Sequence, residues 1–183
     1  MDVALRTPRL VVRTLRAGDA AALLAYQERN AEHLRRWQPT PPKEFYTLAY
    51  WERFVAQSGG GTESTRLRFA AFAPDSPDVV AIVNLQSIER GPGQVAVLGY
   101  SLDGAAQGKG LAREAVGAVV DYAFATLGLH RIEANYQPNN DRSGKLLRSL
   151  GFVVEGYARD FLFIDGGWRD HILTSRTNPG PAL

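Results

Sequence analysis

A glycine-rich loop at Gln107–Ala112 is the part of the sequence best suited to hold a ligand. It follows a β-prone run, Gln94–Leu102, and precedes a stretch in which apolar residues recur at helical spacing. Gly108 and Gly110 let backbone N–H groups approach a ligand without an intervening Cβ. N–H groups at the start of a helix have no intrahelical partner, and the helix dipole favours an anion there. The pattern therefore predicts a diphosphate site.

Two common phosphate-binding motifs do not match this loop. A P-loop has glycine six residues before its lysine and Ser or Thr directly after it, but those positions hold Asp103 and Gly110. The dinucleotide fingerprint is incomplete, because its third glycine position holds Arg113. A nucleotide triphosphatase is therefore disfavoured. Lys109, Arg113 and Arg142 are candidates to meet further phosphate groups.

The flanking sequence predicts a mixed β-sheet with helices on its faces, an α/β fold with the order β-α-α-β-β-β-α-β-α-β-β. A strictly alternating βαβ order would have favoured a Rossmann-like parallel sheet. The predicted strands are Leu10–Leu15, Leu67–Phe72, Val79–Ile88, Gln94–Leu102, Arg131–Tyr136, Val153–Ile164 and Trp168–Arg176. The predicted helices are Ala20–Leu34, Phe45–Gln57, one that begins at Leu111 and is ended by Gly128, and Arg142–Leu150.

Local signals predict where several of these elements begin and end. Asp19 is expected to cap the first helix. The prolines of Gln38–Lys43 and the consecutive glycines of Ser58–Thr65 predict loops. Asp165-Gly166-Gly167 predicts a hairpin turn, and the Pro- and Gly-rich segment Thr177–Leu183 is expected to fray.

Composition excludes several classes of function. A chain of 183 residues can form one well-buried core but is short for two. The net charge of +2 is too small to predict direct nucleic-acid binding. No apolar run approaches the roughly 18–20 residues that span a bilayer, and the N-terminus lacks a signal-peptide pattern. We therefore expect a cytoplasmic protein without membrane association.

Metal and thiol chemistry are also not expected. The chain contains no Cys, which removes thiolate ligands, disulfides and a cysteine nucleophile. His33, His130 and His171 do not have the spacing of metal ligands. We expect structural roles for all three.

Three motifs together resemble the GNAT family of N-acetyltransferases. Gln107-x-x-Gly110-x-Ala112 resembles the coenzyme A loop of the family. About thirty residues later a second family motif, N-x-x-S-x-x-x-L-x-x-L-G-F, is matched by Asn140, Ser143, Leu147, Leu150, Gly151 and Phe152. The opening Thr7-Pro8-Arg9-Leu10-Val11-Val12-Arg13 resembles the start of one branch, the ribosomal-protein N-terminal acetyltransferases. The tail segments 155–160 and 164–174 resemble the same branch.

The resemblance covers residues 7–179 and implies a single acetyltransferase domain with acetyl-CoA as cosubstrate. In the family, the coenzyme lies in a gap between two splayed strands, which here are Gln94–Leu102 and Arg131–Tyr136. The pantetheine arm pairs there with a strand edge. The residues implied to contact the coenzyme are Leu98, Gly99, Tyr100, Gln107, Gly108, Lys109, Gly110, Leu111, Ala112, Arg113, Asn135, Asn140, Arg142 and Ser143.

The resemblance, together with the chemistry of amine acetylation, implies catalytic roles for three side chains. Glu133 is the favoured general base and Asp160 the second candidate; the alternative for both is a solvated surface carboxylate. Ser143 is the favoured acid for the leaving thiolate, a role that is compatible with capping the short helix. Some relatives place a tyrosine where this chain has Leu147, which leaves Ser143 or a water. Without Cys, direct transfer in a ternary complex is expected.

The resemblance implies the N-terminal alanine of a small-subunit ribosomal protein as the acceptor. The same fold also serves antibiotics, polyamines and amino acids, so a small-molecule acetyltransferase is the main alternative. An acid-rich cleft would favour cationic small molecules, and a wide groove beside Trp37 and Trp51 would favour a peptide. A non-catalytic acyl-CoA-binding module would keep the loop and show no turnover. The oligomeric state is left open.

Overall fold

The computed structural model describes residues 2–58, 64–178 and 180. The eight strands are β1 (Ala4–Arg6), β2 (Val11–Thr14), β3 (Leu67–Phe72), β4 (Val79–Glu89), β5 (Val95–Leu102), β6 (Arg131–Tyr136), β7 (Val153–Ile164) and β8 (Gly167–Thr177). The four α-helices are α1 (Ala20–Leu34), α2 (Leu48–Ala56), α3 (Leu111–Ala125) and α4 (Asp141–Ser149). The predicted α/β class with a mixed sheet and helices on its faces is confirmed.

The strands form one twisted sheet in the order β1-β2-β3-β4-β5-β6-β8-β7. Every neighbouring pair is antiparallel except β5 and β6, which are parallel. A parallel pair needs a crossover connection, and α3 supplies it. The sheet thus places the end of β5, the start of α3 and the strand β6 next to one another.

The helices cover the two faces of the sheet. On one face, α3 and α4 bury residues such as Val119 and Leu147 against β2–β6. On the other face, α1 and α2 form a smaller core with Leu23, Tyr26 and Trp51. Burial of this apolar surface is the main term that stabilises both layers, at roughly 25 cal/mol per Å².

The sequence missed one strand and misplaced one helix start. The missed strand is β1, which precedes the predicted first strand and pairs with β2. It also lies before residue 7, where the predicted domain starts. Three residues are too few to show a periodicity. The second helix begins at Leu48, not Phe45, because the Thr47 side chain accepts a hydrogen bond from Tyr50 N and caps it there.

The sequence predicted that Asp19 caps α1, but its side chain makes no hydrogen bond to the start of that helix. Its carboxylate accepts hydrogen bonds from Arg16 N at 2.6 Å and from the Arg13 guanidinium at 2.7 Å. It therefore ties the residues before α1 together instead of satisfying the N–H groups of the helix. The predicted loop Gln38–Lys43 contains no helix or strand, the glycines of the second predicted loop lie outside the described residues, and so does most of the tail.

Candidate active site

The strands β5 and β6 pair over only three residues and then separate. Val95–Val97 pairs with Arg131–Glu133, and no pairing follows beyond that point. β5 continues on its other side with β4 as far as Leu102. The remaining part of β5, from Leu98 onward, therefore leaves one edge open toward β6. An open edge of this kind is where an extended ligand can add as an extra strand.

The loop between β5 and α3 brings free backbone donors to the end of this gap. Gly110 is the residue before the first turn of α3 and has φ of 75°, the left-handed region that a side chain disfavours. Gly108 has φ of 74°, and a Cβ there would meet nothing within 4 Å. Within the described residues, nothing accepts a hydrogen bond from the backbone N–H of Gly108, Lys109 or Gly110. The loop fits an anion such as a diphosphate.

Helix α1 fixes the start of the loop. The carboxylate of Asp103 accepts a hydrogen bond from Arg29 Nε at 2.6 Å and from the backbone N of Ala105 at 2.9 Å. Asn30 donates to the same carboxylate and accepts from Gly104 N at 2.9 Å. Burial opposes ionisation of Asp103, but these hydrogen bonds outweigh it and hold the pKa of the carboxyl below its usual range.

The side chains of the loop motif contact the neighbouring helices. Gln107 Nε2 lies 2.9 Å from His33 Nε2 on α1, and its Oε1 accepts a hydrogen bond from Arg142 on α4. Gln107 thus links α1, the loop and α4. Lys109 Nζ donates to the Ala105 carbonyl at 3.0 Å, and Arg113 is exposed. Two of the three predicted cations therefore bind protein groups at this site.

A hydroxyl pair closes the gap on the α4 side. Tyr100 on β5 and Ser143 on α4 lie with their oxygens 2.6 Å apart. Burial raises the pKa of Tyr100 to about 12. The ring of Tyr136, from β6, lies so close to Gly144 that a Cβ at Gly144 would approach it to 2.9 Å. Asn140, and not Ser143, caps α4, because its Oδ1 accepts from Ser143 N at 3.1 Å.

Glu133 lies at the point where the two strands separate. It is half-exposed and accepts a hydrogen bond from Arg131 Nε at 2.8 Å. Arg131 also pairs with Glu155, which accepts a further hydrogen bond from Ser175 Oγ at 2.6 Å. The hydrogen bonds from Arg131 and Ser175 lower the pKa of Glu155 to about 2. One guanidinium therefore holds two carboxylates beside the gap.

The second predicted base lies apart from Glu133. Asp160 is in an irregular part of β7, with φ of 48°, and its backbone N donates to Asp170 at 2.9 Å. β8 lies between β7 and β6, and the register places Asp160 beyond the end of β6. Asn135, another predicted contact, is half-buried on β6 opposite Leu173. The structure thus brings Ser143 and Tyr100 together and leaves Asp160 at a distance.

Asn84 and the cavity beside it were not predicted from the sequence. Asn84 pairs with Gly99 of β5, and its buried Oδ1 has no hydrogen-bond partner among the described residues. It lines a cavity of about 390 Å³ together with Phe54 and Arg68. Trp51, beside which a wide groove would have favoured a peptide acceptor, is only 2% exposed and packs in the α1/α2 core. Only the three-dimensional pairing of strands shows the position of Asn84.

The comparisons with known proteins agree over nearly the whole chain. A profile of the acetyltransferase (GNAT) domain matches residues 9–153. The chain is 40% identical to the [ribosomal protein uS5]-alanine N-acetyltransferase of Escherichia coli (strain K12), over 97% of this chain and 92% of that protein. It belongs to the GNAT acetyltransferase family.

Solved structures of family members superpose closely. The ribosomal-protein-S5-alanine acetyltransferase of Vibrio fischeri matches with a TM-score of 0.91 at 36% identity, covering 97% of this chain and 98% of that one. Mycobacterium smegmatis RimJ in complex with CoA-disulfide matches with a TM-score of 0.87 at 27% identity, covering 96% and 86%. The GNAT family predicted from the motifs is confirmed, and the chain is an acetyl-CoA-dependent N-acetyltransferase.

None of the helices in residues 2–58 and 64–178 is long and apolar enough to cross a membrane. Across the same residues, no group of three or more His, Asp or Glu side chains is arranged to hold a metal ion.

Proposed function

We propose that acetyl-CoA binds along the open edge of β5 with its diphosphate on the loop at Gly108–Ala112. The observation that carries this proposal is the row of unpartnered backbone N–H groups before α3, at the end of a gap between two strands. Pantetheine amides would pair with the edge from Leu98 to Tyr100. Gln107, Asn140 and Arg142 would hold the loop and α4 around the coenzyme.

Acetyl transfer then requires one attack and two proton movements. The unprotonated amine nitrogen attacks the thioester carbon, and the carbon–sulfur bond breaks as the tetrahedral intermediate collapses. Free N–H groups on β5 between Leu98 and Tyr100 would stabilise the oxyanion. The amine loses its proton toward Glu133, directly or through a water, and the thiolate gains one from Ser143.

The pair formed by Tyr100 and Ser143 supports the role of Ser143 as acid. A serine hydroxyl that gives up its proton must regain one, and Tyr100 is 2.6 Å away. Because burial raises the pKa of Tyr100 to about 12, the phenol is protonated at neutral pH. It can pass its proton to Ser143 and regain one from solvent water when the products leave. The two hydroxyls would thus act as one relay.

For the acceptor, we propose the N-terminal amine of alanine on a ribosomal protein, in the cytoplasm. The relatives named above carry that activity in their names. An α-amino group has a pKa of about 7.7–8.0, so roughly a third of it is unprotonated at pH 7.5, against about 0.1% of a lysine amine. A half-exposed carboxylate such as Glu133 is then a sufficient base.

The charge of the acceptor face supports a peptide over a polyamine. Both carboxylates beside the gap, Glu133 and Glu155, are already paired with Arg131. The neighbouring cavity carries Arg66 and Arg68, which would repel a polycation. An acid-rich cleft, which a cationic small molecule would need, is not formed by these residues.

A thiol-release assay tests the proposed function. The acceptors compared are peptides with a free N-terminal Ala or Ser, the same peptides with a blocked N-terminus and one internal Lys, spermidine, and an aminoglycoside. We expect turnover with the free N-terminal Ala peptide at least tenfold above the blocked peptide. Turnover with spermidine alone would reassign the acceptor, and binding of acetyl-CoA without turnover of any amine would indicate a non-catalytic module.

A further inference from the structure

The residues 7–10 form a tight turn between β1 and β2. Thr7 N donates to the Leu10 carbonyl at 3.0 Å, and Leu10 N donates back to Thr7 Oγ1 at 3.0 Å. Leu10 is buried in the core and anchors the turn. Pro8 fixes φ inside it. The turn therefore holds the next side chain, Arg9, in a defined position outside the sheet.

The turn is bound to the first turn of α3 by one carboxylate. Glu114 Oε1 accepts from Thr7 Oγ1 at 2.6 Å and from Arg9 N at 2.7 Å. Glu114 Oε2 accepts from Arg9 Nε at 2.8 Å and lies 2.7 Å from Arg9 Nη2. Both oxygens are thus saturated by donors from a segment more than 100 residues away in the chain. Burial opposes ionisation of Glu114, but these hydrogen bonds outweigh it and lower its pKa.

Arg9 also contacts the phosphate loop itself. Its Nη1 donates to the carbonyl of Lys109 at 2.7 Å, and its Nη2 lies 3.5 Å from the position of a Cβ on Gly110. A peptide carbonyl and the following N–H point in opposite directions. By holding the Lys109 carbonyl, Arg9 restrains the whole Lys109–Gly110 peptide and therefore also the direction of the Gly110 N–H.

Glu114 creates an electrostatic problem that Arg9 removes. The N-terminus of α3 favours any anion, so the carboxylate on its first turn competes with and repels a diphosphate bound there. We propose that Arg9 is a positioning residue of the coenzyme site, which offsets the charge of Glu114 and fixes the Lys109–Gly110 peptide for diphosphate binding. This proposal rests on the proposed placement of the diphosphate on the loop.

The test compares acetyl-CoA with S-acetylpantetheine, which lacks the diphosphate. In Arg9→Gln we expect the KM and the Kd for acetyl-CoA to rise at least fivefold, with kcat at saturation within twofold. The kcat/KM for S-acetylpantetheine should stay within twofold of the wild-type protein. Arg9→Lys keeps the positive charge but not the planar guanidinium that reaches several partners at once, so it should give an intermediate loss of acetyl-CoA affinity. Arg16→Gln removes an exposed arginine paired with Asp2 and serves as the matched control.

A double variant separates charge from structure. Glu114→Gln in the Arg9→Gln background should recover part of the acetyl-CoA affinity, because the uncompensated carboxylate is gone. Equal losses with both thioesters, or a double variant that is weaker than Arg9→Gln, would overturn the proposal. Wild-type acetyl-CoA affinity in a folded Gly110→Val variant would instead disprove the placement of the diphosphate, so the two failures are distinguishable.

Discussion

The hydroxyl oxygens of Tyr100 and Ser143 lie 2.6 Å apart across the gap in the sheet, one on β5 and the other on the first turn of α4. β5 and β6 have already separated at this level, so the pair links the open part of β5 to α4 instead. A buried phenol paired with a helix-start serine places two exchangeable protons beside the proposed path of the thioester. This relationship gives the first prediction.

Ser143→Ala and Tyr100→Phe should each lower kcat at least tenfold, because loss of either hydroxyl breaks the proton relay. The KM for acetyl-CoA should change less than threefold, since neither hydroxyl contacts the diphosphate in the proposed complex. Steady-state thiol release measures both constants. Ser149→Ala on the same helix is the control, because Ser149 bonds only its own helix carbonyl, at Leu146. A Ser143→Ala variant with unchanged kcat would assign the proton to a water.

Ionisation of Tyr100 should also lower the free energy of unfolding at alkaline pH. Its folded pKa of about 12 exceeds the ordinary value of about 10, so the neutral phenol stabilises the fold. That contribution is complete below pH 10 and is lost as the pH rises toward 12. The free energy of unfolding of the wild-type protein relative to Tyr100→Phe should therefore fall by up to about 3 kcal/mol between these limits. Urea titrations at several pH values measure it, and a constant difference would contradict it.

Gly110→Val should weaken acetyl-CoA binding at least tenfold, or about 1.4 kcal/mol. Valine disfavours the φ of 75° at this position, and the loop must shift to relieve the strain. Calorimetric titration measures the affinity. Gly18→Val is the matched control, because Gly18 has no positive φ and nothing lies within 4 Å of its Cβ position. An unchanged affinity in the folded variant would remove the phosphate-loop assignment.

Glu133→Gln should lower kcat at least tenfold with the alanine peptide, whereas Asp160→Asn should leave at least half of it. Glu133 lies where β5 and β6 separate, but Asp160 is two strands away on β7. The comparison uses one peptide at saturating acetyl-CoA. The opposite ranking of the two variants would give the base role to Asp160.

Asn140→Ala should destabilise the fold by about 1 kcal/mol, the usual cost of losing a helix cap. It should also lower kcat, because Asn140 Oδ1 accepts from the backbone N of Ser143 and thereby fixes the position of that residue. Thr47→Ala removes the cap of α2, far from the loop, and should show a similar loss of stability with unchanged kcat. Equal kcat values in the two variants would mean that the cap does not position Ser143.

The sequence was sufficient for most of the fold because periodicity is a local property. The helix from Leu111 and the strands β3 to β8 were predicted within a few residues, since apolar spacing reports which face is buried. β1 was missed because three residues carry no period, and its stability comes from pairing with β2. The sequence left open whether Trp51 borders a groove, because an apolar aromatic on an amphipathic helix has the same spacing whether its face meets the core or a groove.

By itself, the sequence determined the loop that holds the glycines, the family to which the chain belongs, and therefore the reaction. It did so because these features are local. Gly110 supplies the positive φ before α3, and Asn140 caps α4 at Ser143, three residues later, so short spacings in the sequence reveal them. The tertiary structure decided which distant groups meet: Tyr100 with Ser143, Arg131 with Glu155, and Arg9 with Glu114. Such pairs depend on strand order and helix docking, which no local spacing encodes.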